Sequence, residues 1–139
     1  MKKFLIKKVL DLGCGTGRGI KHLYDFKAAE VFGVDVSEKM LEIAKKKFKT
    51  TQFVLADSEK LPFEDESFEL VFSSHCLEHS YDINMVAKEI TRILVIGGWL
   101  FSAFPINFVL SAHDRYDFGS PEGFLQLFPG LQRVWSRET

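Results

Sequence analysis

The chain has 139 residues, of which 46% are hydrophobic and 14 are phenylalanine, with a net charge of −1. That is the length of one domain, expected over residues 1–139 with ample material for a core, and the charge balance excludes a whole-molecule field that draws nucleic acid. Cys14 and Cys76 lack CxxC spacing, which argues against a disulfide framework or a zinc site. Met1 to Lys7 is too weakly apolar for a signal peptide, and no run approaches the ~18 apolar residues of a membrane span, so a reducing cytoplasm is the expected compartment.

In chain order, Leu5 to Leu12 reads as a first strand and Arg18 to Phe26 as a first helix, with Ile20, Leu23 and Tyr24 spaced i, i+3, i+4. Glu30 to Val36 reads as a second strand, with Asp35 at its end. Ser37 is an N-cap with Glu38 in the favourable first turn, and the helix it opens carries Met40, Ile43, Ala44 and Phe48 on its apolar side. Gln52 to Ala56 is a short third strand, Asp57 to Ser67 a loop, and Phe68 to Ser73 a fourth strand. Ile83, Val86, Ala87, Ile90 and Leu94 predict an amphipathic helix, which Gly97-Gly98 should end before a fifth strand, Trp99 to Phe104. Ser120-Pro121-Glu122 reads as a helix start, Phe124 to Phe128 as its continuation, Pro129-Gly130 as its stop, and Leu131 to Arg137 as a sixth strand. This alternation predicts an α/β fold: a Rossmann-like, doubly wound, mostly parallel sheet of about six strands in three layers.

The most informative stretch is Val9-Leu10-Asp11-Leu12-Gly13-Cys14-Gly15-Thr16-Gly17. An apolar run ends in a glycine loop that opens a helix, the arrangement that brings backbone close to a nucleotide. Two details disfavour a dinucleotide. Arg18 stands where the third glycine of G-x-G-x-x-G belongs, and Asp11 at the loop mouth would repel a pyrophosphate. S-adenosylmethionine, with a sulfonium, an ammonium and no phosphate, suits both.

From about Val9 to Pro105 the chain resembles class I S-adenosylmethionine-dependent methyltransferases. Leu61-Pro62-Phe63-Glu64-Asp65-Glu66-Ser67-Phe68-Glu69-Leu70-Val71 is similar to the LPF-x-D-x-SFD-x-V stretch of one small-molecule subfamily, with Glu69 in place of its aspartate. Arg92-Ile93-Leu94-Val95-Ile96-Gly97-Gly98 resembles its Arg-x-Leu-Lys-Pro-Gly-Gly turn, with Val95-Ile96 replacing Lys-Pro. The resemblance implies S-adenosyl-L-methionine as cofactor. Gly13, Cys14, Gly15 and Gly17 would pass under its methionine portion, and Asp11 would meet the ammonium or brace the loop. Asp35 would accept the ribose hydroxyls, Val36 and Met40 would border the adenine, and Asp57, with Ala56 and Ser58, would bind the adenine edge. Ser73, Ser74 and His75 should border the transferable methyl.

His79 follows in a Leu-Glu-His triplet and could be a general base or a loop-bracing histidine. His75, Glu78, His79 and the more distant His113 also allow a divalent-metal reading, although the expected metal count is none. The expected activity is methyl transfer to a small-molecule acceptor, with no membrane partner and a homodimer possible. A non-catalytic or partner-completed cofactor-binding subunit and a metal-assisted RNA methyltransferase are the alternatives. The resemblance also leads to an expected departure: no seventh strand and no N-terminal cap helices. The edge beside the fifth strand would then be covered either by the sixth strand or by another chain, with a dimer favoured.

Overall fold

The computed structural model describes residues 6–24, 30–74, 76–104, 123, 126–129 and 134–138. Among the described residues six parallel strands form one sheet: β1 (Lys8–Leu12), β2 (Glu30–Asp35), β3 (Gln52–Leu55), β4 (Phe68–Ser74), β5 (Leu94–Phe104) and β6 (Val134–Glu138). Their order is β3-β2-β1-β4-β5-β6. The helices are α1 (Ile20–Leu23), α2 (Glu38–Lys47) and α3 (Ile83–Ile93), with a 3-10 turn at Leu77–His79.

Strand alternation sends successive side chains to opposite faces, and both faces here are apolar because helices cover both. Leu10, Leu12, Val34, Val71 and Leu100 pack on one face with Ile83, Val86, Ala87, Ile90 and Ile93 of α3. Val9, Val31 and Leu70 pack on the other with Ile20 and Leu23 of α1 and Leu41 of α2. This is the expected three-layer architecture. The predicted cap forms as well: the Ser37 hydroxyl accepts the Met40 N–H at 3.3 Å, opening α2. Asp82 caps α3 by accepting the Asn84 and Met85 N–H groups.

The loop between β3 and β4 is pinned to α3 by one arginine. Arg92 donates to the Leu61 and Phe63 carbonyls at 3.0 and 2.7 Å, to Asp65 at 2.9 Å, and in a fork to Glu89 at 2.8 and 2.9 Å. Glu89 in turn accepts the Leu61 N–H at 2.7 Å, and these bonds hold its carboxyl below the ordinary range. Phe63 is thereby seated edge-on against Phe32 and Phe68. A lysine cannot reproduce this planar fork. Arg92→Lys is therefore expected to cost about 1–3 kcal/mol of folding stability, because carbonyls and a carboxylate lose their donors. Urea unfolding checks it; an unchanged midpoint would show the fork to be incidental.

Two expectations change at β5. The helix stops at Ile93, and the strand begins at once with Leu94 opposite Phe68, while Trp99 pairs with Leu70. Val95 to Gly98 therefore bulge out of the ladder instead of ending the helix. Gly97 sits at φ +80, and a Cβ on Gly98 would meet the Val95 and Glu69 carbonyls. The Lys-Pro of the resembling turn is dispensable because the glycines alone can make this bulge. Glu69, the other departure, accepts the Lys8 N–H at 2.9 Å and so anchors the start of β1.

The second change is at the tail. β6 pairs directly and in parallel with β5, from Leu100 opposite Val134 to Phe104 opposite Glu138. The edge of β5 is thus covered within this chain, the first of the two expected solutions, and the reason given for a dimer does not arise at that edge. The described part of the strand is Val134–Glu138, and the expected start at Leu131 lies outside the described residues. The proposed helix start at Ser120-Pro121-Glu122 lies outside the described residues. Among the described residues, no helix is long and apolar enough to cross a membrane.

Candidate functional site

In the strand order, β1 sits between β2 and β4, so the connections leaving β1 and β4 diverge. Open α/β sheets bind ligands outside the carboxyl ends of their strands at such a switch point. A cavity of about 750 Å³ lies there, lined by Asp11 and the loop after β1, by Arg18, Gly19 and His22 near α1, by Met40 of α2, and by Phe72 and Ser74 of β4. This volume is within the usual range for small-molecule sites.

The loop is held open from both sides. Gly13 and Cys14 N–H groups both donate to the Val34 carbonyl, at 2.8 and 2.9 Å. The Gly15 N–H donates to one Asp35 oxygen at 2.9 Å, and the Ser37 N–H donates to the other, also at 2.9 Å. Asp35 therefore joins the glycine loop to the start of α2.

The alternating glycines serve different ends. Gly15, at φ +55, would point a Cβ into open space, so its backbone is bare toward the cavity. Gly17, at φ +95, lies under the Phe48 ring, 2.6 Å from where its Cβ would be, and is buried. Gly17 is thus a packing glycine between loop and α2, not a wall of the cavity.

Asp11 dominates the electrostatics. It is 2% exposed, its carboxylate lies on Gly19, and among the described residues no hydrogen-bond donor offsets its burial. Burial first, and the Asp35 charge second, push its carboxyl up to about 7. An unpaired buried carboxyl in a cleft is costly, and such groups concentrate at functional sites. Cys14 is inert by the same logic: burial, Asp11 and Asp35 push its thiol well above the ordinary range.

Of the expected residues, Asp11, Gly13, Cys14, Gly15, Met40 and Ser74 line the cavity. Asp35, Val36, Ala56, Asp57 and Ser58 stand at the carboxyl ends of β2 and β3, beside it and not in its lining. Asp57 there accepts the Glu59 N–H at 2.9 Å, closing a turn. Ser73 departs from expectation. Phe72 and Ser74 face the cavity, so Ser73 between them points to the α3 side. It is completely buried, and its hydroxyl has no partner among the described residues. Ser73→Ala should accordingly leave ligand binding unchanged and raise stability by about 1–3 kcal/mol, the cost of an unsatisfied buried hydroxyl. Thermal melts and ligand titration check both; a weaker ligand affinity would return Ser73 to the site.

His79 is exposed on the 3-10 turn and does not line the cavity. His75, His113 and the Glu78 side chain lie outside the described residues, so the metal reading has no described geometry. Sequence reasoning missed Thr16, Gly19, His22 and Phe72 as lining, and read Arg18 only as a departure. Gly19 was legible, since it continues the alternation of Gly13, Gly15 and Gly17. A Cβ there would strike Asp11 and Phe72, each at 2.8 Å. Phe72 carried no signal in the sequence, because its position depends on which face of β4 meets the cavity.

Residues 10–102, which include this whole lining, match the family model described as "Methyltransferase domain". The chain belongs to this methyltransferase domain family. The malonyl-[acyl-carrier protein] O-methyltransferase of Legionella pneumophila is 36% identical to this methyltransferase domain over 102 residues, covering 70% of the chain and 36% of that protein. The demethylmenaquinone methyltransferase of Thermotoga maritima is 40% identical over 90 residues, covering 63% of the chain and 39% of that protein. The chain therefore spans well under half the length of these curated relatives. Among solved structures, an S-adenosylmethionine-dependent methyltransferase from Mesorhizobium loti superposes with a TM-score of 0.61 at 32% identity, covering 66% of this chain and 43% of that one. These likenesses place the methyltransferase domain in the α/β, Rossmann-like fold class that its strand order displays.

Proposed function

We propose that this domain binds S-adenosyl-L-methionine and transfers its methyl group to a small-molecule acceptor. The observation that carries the reading is the buried Asp11 carboxyl, without a donor among the described residues, in the wall of a cavity whose floor is the bare backbone of Gly15. The residues fit the cofactor: Asp11 in the cavity wall offers the ammonium of a cationic amino acid an anionic partner. The malonyl and demethylmenaquinone relatives named above support a small acceptor.

When bound, the cofactor supplies a methyl group activated by its sulfonium. Asp11 holds the ammonium and is itself held ionised by it. Gly13, Cys14 and Gly15 form the floor under the methionine portion, and Ser74 at the end of β4 borders the methyl. Asp35 accepts from the ribose with the lone pairs left over from the Gly15 and Ser37 N–H groups. Val36 and Met40 lie along the adenine, and Asp57 accepts its exocyclic amine, with Ala56 and Ser58 beside it. The chain's part in the reaction is alignment of donor and acceptor, which can supply much of the rate. His79, on the turn after β4, is the base for an acceptor that must lose a proton, with His75 as second candidate.

Calorimetry with S-adenosylhomocysteine, S-adenosylmethionine and NAD tests the cofactor. Both adenosyl ligands are expected to bind and NAD is not. NAD binding tighter than S-adenosylhomocysteine would reject the reading. Production of S-adenosylhomocysteine with pooled acceptor classes, followed by mass spectrometry of the product, identifies the acceptor.

A further inference from the structure

An N-cap residue leaves its own backbone N–H to be satisfied, and the usual device is a Glu or Gln at the third helical position reaching back to it. In α3 that position is Met85, which has no acceptor to offer. The Asp82 N–H donates instead to Glu59, at 2.7 Å, from a loop 23 residues earlier in the chain. Glu59 belongs to the turn that Asp57 closes: the Asp57 carboxylate accepts the Glu59 N–H at 2.9 Å, and the Asp57 carbonyl accepts the Lys60 N–H at 3.0 Å. Asp57, Glu59 and Asp82 thus form a continuous hydrogen-bonded run. At one end is the turn after β3. At the other is the segment Cys76 to Asp82, which follows β4 and carries His79.

The two ends serve different ligands in the proposed function. Asp57 stands at the adenine end of the site, and the segment after β4 borders the acceptor. Among the described residues nothing else bonds the Glu59 side chain, and the rest of the loop is held separately by Arg92 and Glu89 farther along α3. The run is therefore a local link and not part of the general scaffold.

We infer that Glu59 is a positioning residue that couples adenine binding to the ordering of the acceptor segment Cys76 to Asp82. Occupying Asp57 fixes the turn, the fixed turn holds the Glu59 carboxylate in place, and the carboxylate fixes the start of α3 and the segment leading into it. Cofactor binding then comes before acceptor binding, because it builds part of the acceptor's site. This inference rests on the adenosyl-cofactor reading and deepens it.

Amide hydrogen exchange on the full chain tests it, with S-adenosylhomocysteine as probe and calorimetry run on the same samples. In the wild type, the probe is expected to slow exchange across Cys76 to Asp82 by about tenfold, the size of an ordinary coupling between two sites. In Glu59→Ala the probe should still bind, within a few-fold of wild type, while the slowing at Cys76 to Asp82 is lost. Glu59→Gln keeps an oxygen that accepts the Asp82 N–H and should restore it, which a merely bulk-structural role would not require. No binding of the probe to the wild type overturns the cofactor reading and this inference with it. Binding without protection of Cys76 to Asp82 overturns the inference alone. Protection that persists in Glu59→Ala removes Glu59 from the link. If Glu59→Ala fails to fold, the wild-type and Glu59→Gln exchange still decide.

Discussion

Asp11→Asn is expected to stabilise the ligand-free protein near pH 8 while weakening its hold on the cofactor. The Asp11 carboxyl titrates at about 7 in the fold against 3.8 in an unfolded chain. Between those values the folded state binds the extra proton, so the contribution of this group to stability falls as pH rises from about 4 to 7 and stays low above that. At about 1.4 kcal/mol per unit, the full cost is on the order of 4 kcal/mol. Asparagine has the same shape and no charge, so the gain should be nearly complete near pH 8 and close to zero near pH 4. Denaturant unfolding of both proteins at the two pH values measures it. A variant that is less stable near pH 8 would show that the carboxylate has a partner in the fold. In binding, the signs reverse. On the proposed reading Asp11 pairs with the cofactor's ammonium, so the variant should bind S-adenosylhomocysteine about tenfold or more weakly. Wild-type affinity should rise with pH and level off above about 7, as Asp11 becomes ionised before the ligand arrives.

Asp35→Ala is expected to weaken cofactor binding by ~2–4 kcal/mol, because hydrogen bonds to a charged acceptor are worth roughly 1.5–3 kcal/mol each and add imperfectly. Two effects combine. The ribose hydroxyls lose their acceptor, and the Gly15 and Ser37 N–H groups are released, so the loop that forms the cavity floor loses its tie to α2. Folding stability should fall less than these two bonds suggest, since the same change removes the charge that repels Asp11. Calorimetry against S-adenosylhomocysteine and unfolding by urea separate the two. Full affinity in a folded variant would confine Asp35 to bracing the loop.

The residues that announce the fold do so through local rules. The strand–glycine loop–helix of Val9 to Leu23, the Ser37 cap and the 3.6-residue period from Ile83 to Ile90 each need only neighbours in sequence, and each formed where the sequence placed it. Asp11 was legible for the same reason: a carboxylate at the end of an apolar strand must be buried at the mouth of the loop. What sequence could not reach depends on pairings across long separations. The parallel docking of β6 on β5 is a choice of strand edge, which alternation cannot encode. The bulge at Val95 to Gly98 arises because α3 delivers the chain to β5 early, and the extra residues must leave the ladder. The face to which Ser73 turns follows from Phe72 and Ser74 meeting the cavity, which is decided by where α1 and α3 pack. The sequence by itself determined the elements, their parallel order of use and the chemistry of the glycine loop, because those rest on local geometry and burial pattern. Only the tertiary structure decided that the Asp11 carboxylate lies against Gly19, that Asp35 ties loop to helix, and that Glu59 reaches Asp82, because each is a meeting of side chain and backbone that only the fold brings together.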